Sequence, residues 1–117
     1  MNKLKNKYVI GTHIMWFEIE MYKDFIDGMV NLLDTVDNRK NVTIDLCLNL
    51  SQHLEKIDTD KITEDEIIDK FNTGVSRIRE LGYEVKTTQV EKDEFYLHTD
   101  YRRDLNYNYC KKVDYVM

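Results

Sequence analysis

The spacing of apolar residues changes several times along the chain, and each change predicts an element. Lys7 to Ile10 (KYVI) is a short β-branched and aromatic run closed by Gly11, the pattern of a buried strand. Tyr22, Phe25, Ile26, Met29, Leu33 and Val36 then recur at steps of three and four, with Glu18, Glu20, Lys23, Asp24 and Asp27 opposite them. That is an amphipathic helix, and it should stop near Asp37-Asn38. Val42 to Leu48 (VTIDLCL) reads as a second strand, entered through the turn Asn38-Arg39-Lys40-Asn41. The polar stretch from Asn49 to Lys61 predicts irregular chain. Thr63 and Glu66 have capping-box spacing and open a second helix. Its buried stripe is Ile67, Ile68, Phe71, Val75, Ile78 and Leu81, and Gly82 takes the left-handed position past its end. Tyr83 to Val90 alternates as a third strand. After a turn at Glu91 to Glu94, Phe95 to His98 reads as a short extended piece. Thr99 or Asp100 caps a third helix running to about Lys112, with Leu105, Tyr109 and Val113 inward. Asp114 to Met117 (DYVM) begins a fourth strand.

The order β-α-β-α-β-α-β predicts the fold class: one α/β domain over residues 1–117, a Rossmann-like, mostly parallel sheet flanked by helices with right-handed crossovers. The last strand should lie beside the first. Ligands on such sheets bind at the carboxyl ends of the strands, near the switch in strand order. That rule selects three stretches: Gly11 to Glu18, Asn49 to Lys56, and Thr87 to Arg103.

Bulk properties narrow the choice. The apolar share is 42% and the charged share 33%, a globular balance. A net charge of -5 leaves no broad basic surface for a phosphate backbone, which argues against nucleic acid as a partner. No apolar run approaches the ~18 residues of a membrane span. The basic start is followed by a segment broken by Gly11, His13 and Glu18, a poor match to a signal peptide. Cys47 and Cys110 fall inside predicted elements without a CxxC partner and read as reduced core residues of a cytoplasmic protein. Pro is absent, so turns rely on Gly, Asn and Asp.

Each selected stretch carries candidate chemistry and a plainer alternative. Gly11 permits a sharp turn after the first strand, Thr12 and His13 then offer donors near a helix start, and Trp16 can stack on a base or ribose. Trp16 and Met15 are equally read as core. Asn49 and Ser51 can read a nucleobase edge, or simply close a turn by local bonds. Arg102 and Arg103 stand at a helix start, where the dipole disfavours cations; a diphosphate would compensate them, and so would Asp100 and Asp104. Neither GxGxxG nor GxxxxGK[ST] occurs, which disfavours dehydrogenase-type dinucleotide binding and P-loop chemistry. His13, His53 and His98 lack metal-ligand spacing. No nucleophile with a paired base can be assembled, so the catalytic residues stay unassigned.

The run from Tyr101 to Met117 (YRRDLNYNYCKKVDYVM) resembles family-2 glycosyltransferases of the GT-A fold, in which Arg-Asn opens a helix and a strand of the type "eYi" follows. Asp104 stands where that family has Asn, and the helix-to-strand spacing is one residue longer. The run GTHIMWFEIEMYKDF is similar to glycosyltransferase-like proteins of tailed phages. This resemblance implies an incomplete GT-A domain, its nucleotide-binding half, that takes a nucleoside diphosphate sugar as donor. It would place Thr12 and His13 by the base or ribose, Asn49 and Ser51 by the base, and Arg103 by the diphosphate. In the family, the fourth strand ends in a DxD-type motif that holds a divalent metal, Mn or Mg. The sequence stops at Met117, before such a motif, so that metal is expected only of a full-length enzyme and little transfer is expected of this chain. If viral, it would work in the host cytoplasm. The alternative function is a non-catalytic α/β module that self-associates through an open sheet edge, where unpaired backbone groups invite a second chain, or through apolar surface that the missing half of the domain would cover.

Overall fold

The alternation that predicts the first strand runs further than its terminating glycine suggests, because Ile10, Thr12 and Ile14 keep period two across it. In the computed structural model, which describes residues 6–117, that strand is β1, Tyr8–Met15. The basic residues 1–5 lie outside the described residues. β2 is Val42–Asn49, β3 Glu84–Val90 and β4 Tyr115–Val116. The four pair in parallel in the order β3-β2-β1-β4. They alternate with α1 (Ile19–Leu33), α2 (Glu64–Glu80) and α3 (His98–Tyr109), so the fold is the expected α/β arrangement with the last strand beside the first.

The sheet is a middle layer with two unlike faces. On one face α1 and α2 bury an aliphatic core that includes Ile14, Ile26, Ile44, Leu46, Leu48 and Ile78. Each fully buried side chain of this kind stabilises the fold by about 1.5–3 kcal/mol relative to exposure. The two helices lie close because Gly74 leaves room for the Tyr22 ring; a Cβ there would sit 2.5 Å from it. The Tyr22 hydroxyl then donates to the Phe71 carbonyl at 2.9 Å. On the other face α3 alone packs, through Tyr101, Leu105 and Tyr109, over Val9, Cys47 and Val90.

Several local expectations change. Gly11 does not turn the chain. It sits mid-strand opposite Asp45, and a Cβ there would lie 2.5 Å from Leu105 Cδ2 and 2.6 Å from the Tyr101 hydroxyl. Its smallness lets α3 rest directly on β1. The first helix ends at Leu33, and Phe25, assigned to its buried stripe, is exposed at the margin. Asn38 takes the left-handed turn with φ 43°. Arg39 staples the connection, donating to the carbonyls of Asp34, Val36 and Leu81. The second helix follows its signals: Thr63 Oγ1 accepts the Glu66 N–H at 3.2 Å, and Gly82 has φ 95°. Phe95 to His98 forms no strand; Leu97 is extended, but α3 already begins at His98, with the Asp100 carboxylate reaching back to the Leu97 N–H at 2.9 Å. Cys47 is buried as expected, but Cys110 is exposed just past α3, and both are free thiols. Among the described residues no helix is long and apolar enough to cross a membrane.

Candidate functional site

A chain that runs outward from β1 through β2 to β3 and then crosses back to β4 changes direction at β1. The strand-order switch therefore falls between β1 and β4, and the carboxyl half of β1 is its open crest. β4 covers β1 only at its start: Tyr8 and Val9 pair with Tyr115 and Val116, and Met117 accepts the Gly11 N–H at 2.7 Å. Beyond that, Thr12 to Met15 continue without a described strand on that side. Alternation sends Thr12 toward α1 and His13 toward α3.

On the α3 side the crest is a closed set of hydrogen bonds. Asn49, wholly buried at the end of β2, uses its Oδ1 to accept the Ser51 N–H at 2.8 Å. That fixes the amide, so its Nδ2 donates both to the Tyr96 carbonyl at 2.8 Å and to His13 Nε2 at 3.0 Å. His13 Nε2 is therefore an acceptor, and the ring carries its proton on Nδ1. Nδ1 lies 2.8 Å from His98 Nδ1, which must accept and leaves the His98 proton on its outer nitrogen. The His13 ring also stacks on Tyr101 with centroids 5.4 Å apart. Burial, then the neighbouring His98, lower the His13 pKa from 6.5 to about 4, against a smaller opposing pull from Asp100.

Beneath this crest a second polar group anchors α3. Tyr101 and Tyr109 each donate to Asp45, to Oδ1 and Oδ2 respectively, both at 2.8 Å. Tyr96 donates to Asp104 Oδ2 at 2.7 Å, which holds that carboxyl below its ordinary range. Burial, then the bond to Asp45, push the Tyr101 and Tyr109 hydroxyls well above theirs. The Cys47 thiol is pushed up to about 12 by burial and by nearby carboxylates, so it is an inert packing group. On the α1 side a groove of about 180 Å³ runs along β1, lined by Thr12, His13, Ile14, Glu18, Met21, Tyr22 and Phe25. Glu18 closes its upper end by accepting the Met15 N–H at 2.9 Å.

The residues selected from sequence divide accordingly. Thr12 and His13 line the groove. Asn49 and Ser51 stand beside it but are buried, and their polar atoms are used internally. Trp16 takes its core alternative: it is buried, and its indole N–H donates to the Ser51 carbonyl at 3.2 Å. Arg103 is exposed and pairs with Asp100 at 3.4 Å and Asp104 at 3.3 Å. His13 and His98, 85 residues apart, meet, while His53 stays separate against Phe95 and the Asp93 carbonyl. Sequence reasoning missed Asp45, Tyr96, His98, Glu18 and Phe25. Asp45 alone left a signal, a charge at an inward position of an apolar strand. Among the described residues no group of three or more His, Cys, Asp or Glu is arranged to hold a metal ion. The divalent metal implied by the glycosyltransferase resemblance therefore has no fitting site here. No protein-family model, no curated protein and no solved structure matches the chain.

Proposed function

We propose that this chain is a glycosyltransferase-like α/β unit that binds the nucleoside part of a nucleoside diphosphate sugar in the groove along β1. One observation carries the reading: the switch in strand order falls at β1, and the groove at that point is lined by the Thr12 side chain, while the His13 ring turns to the other face. Parallel sheets leave their ligand crevice at this place. The groove's volume decides how much of the donor it takes. About 180 Å³ is below the ~300–1,000 Å³ of sites that enclose whole small molecules, so it suits a base with its ribose. The Thr12 hydroxyl offers a donor and acceptor, and Glu18 an acceptor for ribose hydroxyls.

Among the described residues no cation lines the groove. Arg103 stands on the outer side of α3, across the sheet, paired with Asp100 and Asp104, so the groove is read as a site for the nucleoside and the diphosphate is left to solvent. The reading covers binding; no step is assigned to a metal, because the residues present do not form a site for one. Isothermal titration of the folded chain against UDP and GDP, with and without manganese, tests it. Heat with one of the nucleotides, reduced in Thr12→Val, is expected. No heat with either, in protein shown by circular dichroism to be folded, overturns it.

A further inference from the structure

A helix in a layered fold normally keeps its large apolar residues on the buried stripe, and α1 departs from this. Tyr22, Ile26, Met29 and Leu33 face the core, yet Met21, Phe25 and Leu32 are exposed. A step of four from Met21 to Phe25, and then seven on to Leu32, draws one line down the helix. Gly28 lies in the same line, and a Cβ there would meet nothing within 4 Å. The line turns away from α2 and toward the flank of β4. Register places Tyr115 on the face of Tyr8, where the two rings stack at 5.0 Å. Tyr115 and Met117, both exposed, extend the same flank. Five of the nine exposed large apolar side chains among the described residues thus gather there.

We infer that a second copy of this chain covers that flank, with α1 packed antiparallel against the partner's α1. Two features of the stripe select this occupant. The first is self-complementary spacing. The register that sets Met21 against the partner's Leu32 also sets Phe25 against the partner's Gly28, and symmetry repeats both pairs, as a closed two-fold contact requires. The Phe25 ring enters the space that Gly28 leaves open, a large residue opposite a small one. The second feature is charge. Glu18 and Asp24 flank the first half of the stripe, while Gly28 to Leu33 carry no charge. Antiparallel packing sets the acidic half against the uncharged half, whereas parallel packing would set like charges side by side. Antiparallel helix dipoles add to the preference.

The size of the surface sets the strength. Met21 is 64% and Leu32 67% exposed. With Phe25 and Tyr115 the flank presents on the order of 400 Å² of apolar area, about half of what one copy brings to a standard interface. The association is therefore of the weak, transient class. The contact is made by helices. The open sheet edge expected from sequence is less suited, since β4 is a two-residue strand.

Sedimentation and cross-linking test this without any nucleotide, so failure here is separate from failure of the binding reading. Wild type should shift from monomer to dimer between about 1 and 200 μM. Gly28→Arg should remain monomeric at the highest concentration, with a far-ultraviolet spectrum and melting temperature no worse than wild type, because that position is exposed, helical and unobstructed. In a Cys110→Ser background, the double variant Met21→Cys with Leu32→Cys should oxidise to a covalent dimer, and Met21→Cys alone should not. Equivalent positions 21 would stand about 16 Å apart at ~1.5 Å rise per residue, too far for a disulfide. A wild-type monomer throughout, a Gly28→Arg dimer, ready cross-linking by Met21→Cys alone, or no cross-linking of the double variant would each overturn the inference.

Discussion

Acid should weaken this fold through His13 before its carboxylates come into play. The folded chain holds His13 with a pKa of about 4, while the unfolded value is near 6.5. Between those values the unfolded chain binds a proton that the folded chain refuses. His13's contribution to stability is complete above pH 6.5 and is lost as pH falls from there toward 4; below that both states are protonated and the slope vanishes. The steepest slope for one proton is about 1.4 kcal/mol per pH unit, so His13 should remove about 3 kcal/mol between pH 7.5 and 4.5. His13 is 8% exposed, so solvent screening does not dilute this figure. The cause is geometric. Asn49 donates to Nε2 and His98 stands at Nδ1, so an added proton has to break one of the two contacts. Asp100 on α3 is the charged group that opposes the effect, and Tyr96 and Tyr101 complete the surroundings. The depressed carboxyls of Asp27 and Asp104 contribute in a separate window, stabilising above about pH 4 and losing that effect only as pH falls further.

Urea denaturation followed by circular dichroism at pH 7.5, 6.5, 5.5 and 4.5 measures the loss. His13→Gln keeps an acceptor for Asn49 but has no proton to bind, so its stability should be flat over this range once the other groups' common slope is subtracted. A nuclear magnetic resonance titration of the His13 ring should show no midpoint above pH 5. Equal losses in the wild type and the variant, or a His13 midpoint near 6.5, would refute the reasoning.

Two substitutions follow from packing and hydrogen bonding. Gly11→Ala should cost about 1–3 kcal/mol, with faster amide exchange along α3, because the new Cβ meets Leu105 and Tyr101 inside van der Waals contact. Asn49→Leu is close in size but leaves the Ser51 N–H, the Tyr96 carbonyl and His13 Nε2 without their partner. It should lose at least about 3 kcal/mol by denaturant titration and change the His13 tautomer signature in its nitrogen shifts.

The layered fold was legible because two periods do most of the specification. Steps of three and four put Tyr22, Ile26, Met29 and Leu33 on one helix face, and alternation put Ile44, Leu46 and Leu48 on one sheet face. Capping chemistry at Thr63 and Gly82 is local and was equally readable. The first strand's end was not. Gly11 looks like a turn residue in sequence, and its real constraint comes from Leu105 and Tyr101, about ninety residues away. The crest was half legible for the same reason. Thr12, His13, Asn49 and Ser51 can be placed from strand ends, but the pairing of His13 with His98 depends on where α3 rests on the sheet. The exposed line through Met21 and Phe25 was masked because Phe25 also fits the buried stripe of its helix at that spacing.

What positions α3 is polar, and this bears on the crest. An aliphatic helix on an aliphatic strand can slide, since burial depends little on register. Tyr101 and Tyr109 are eight residues apart, roughly 12 Å along the helix, yet both hydroxyls converge on the single carboxylate of Asp45. A displacement of one turn, about 5.4 Å, would pull one hydroxyl off Asp45 and bury it without a partner. Asp45 thus defines where α3 stops, Gly11 lets it come that close, and His98 at its first turn then meets His13. The geometry at the end of β1 is therefore set from the middle of β2, by a carboxylate that touches no part of the groove it helps to arrange.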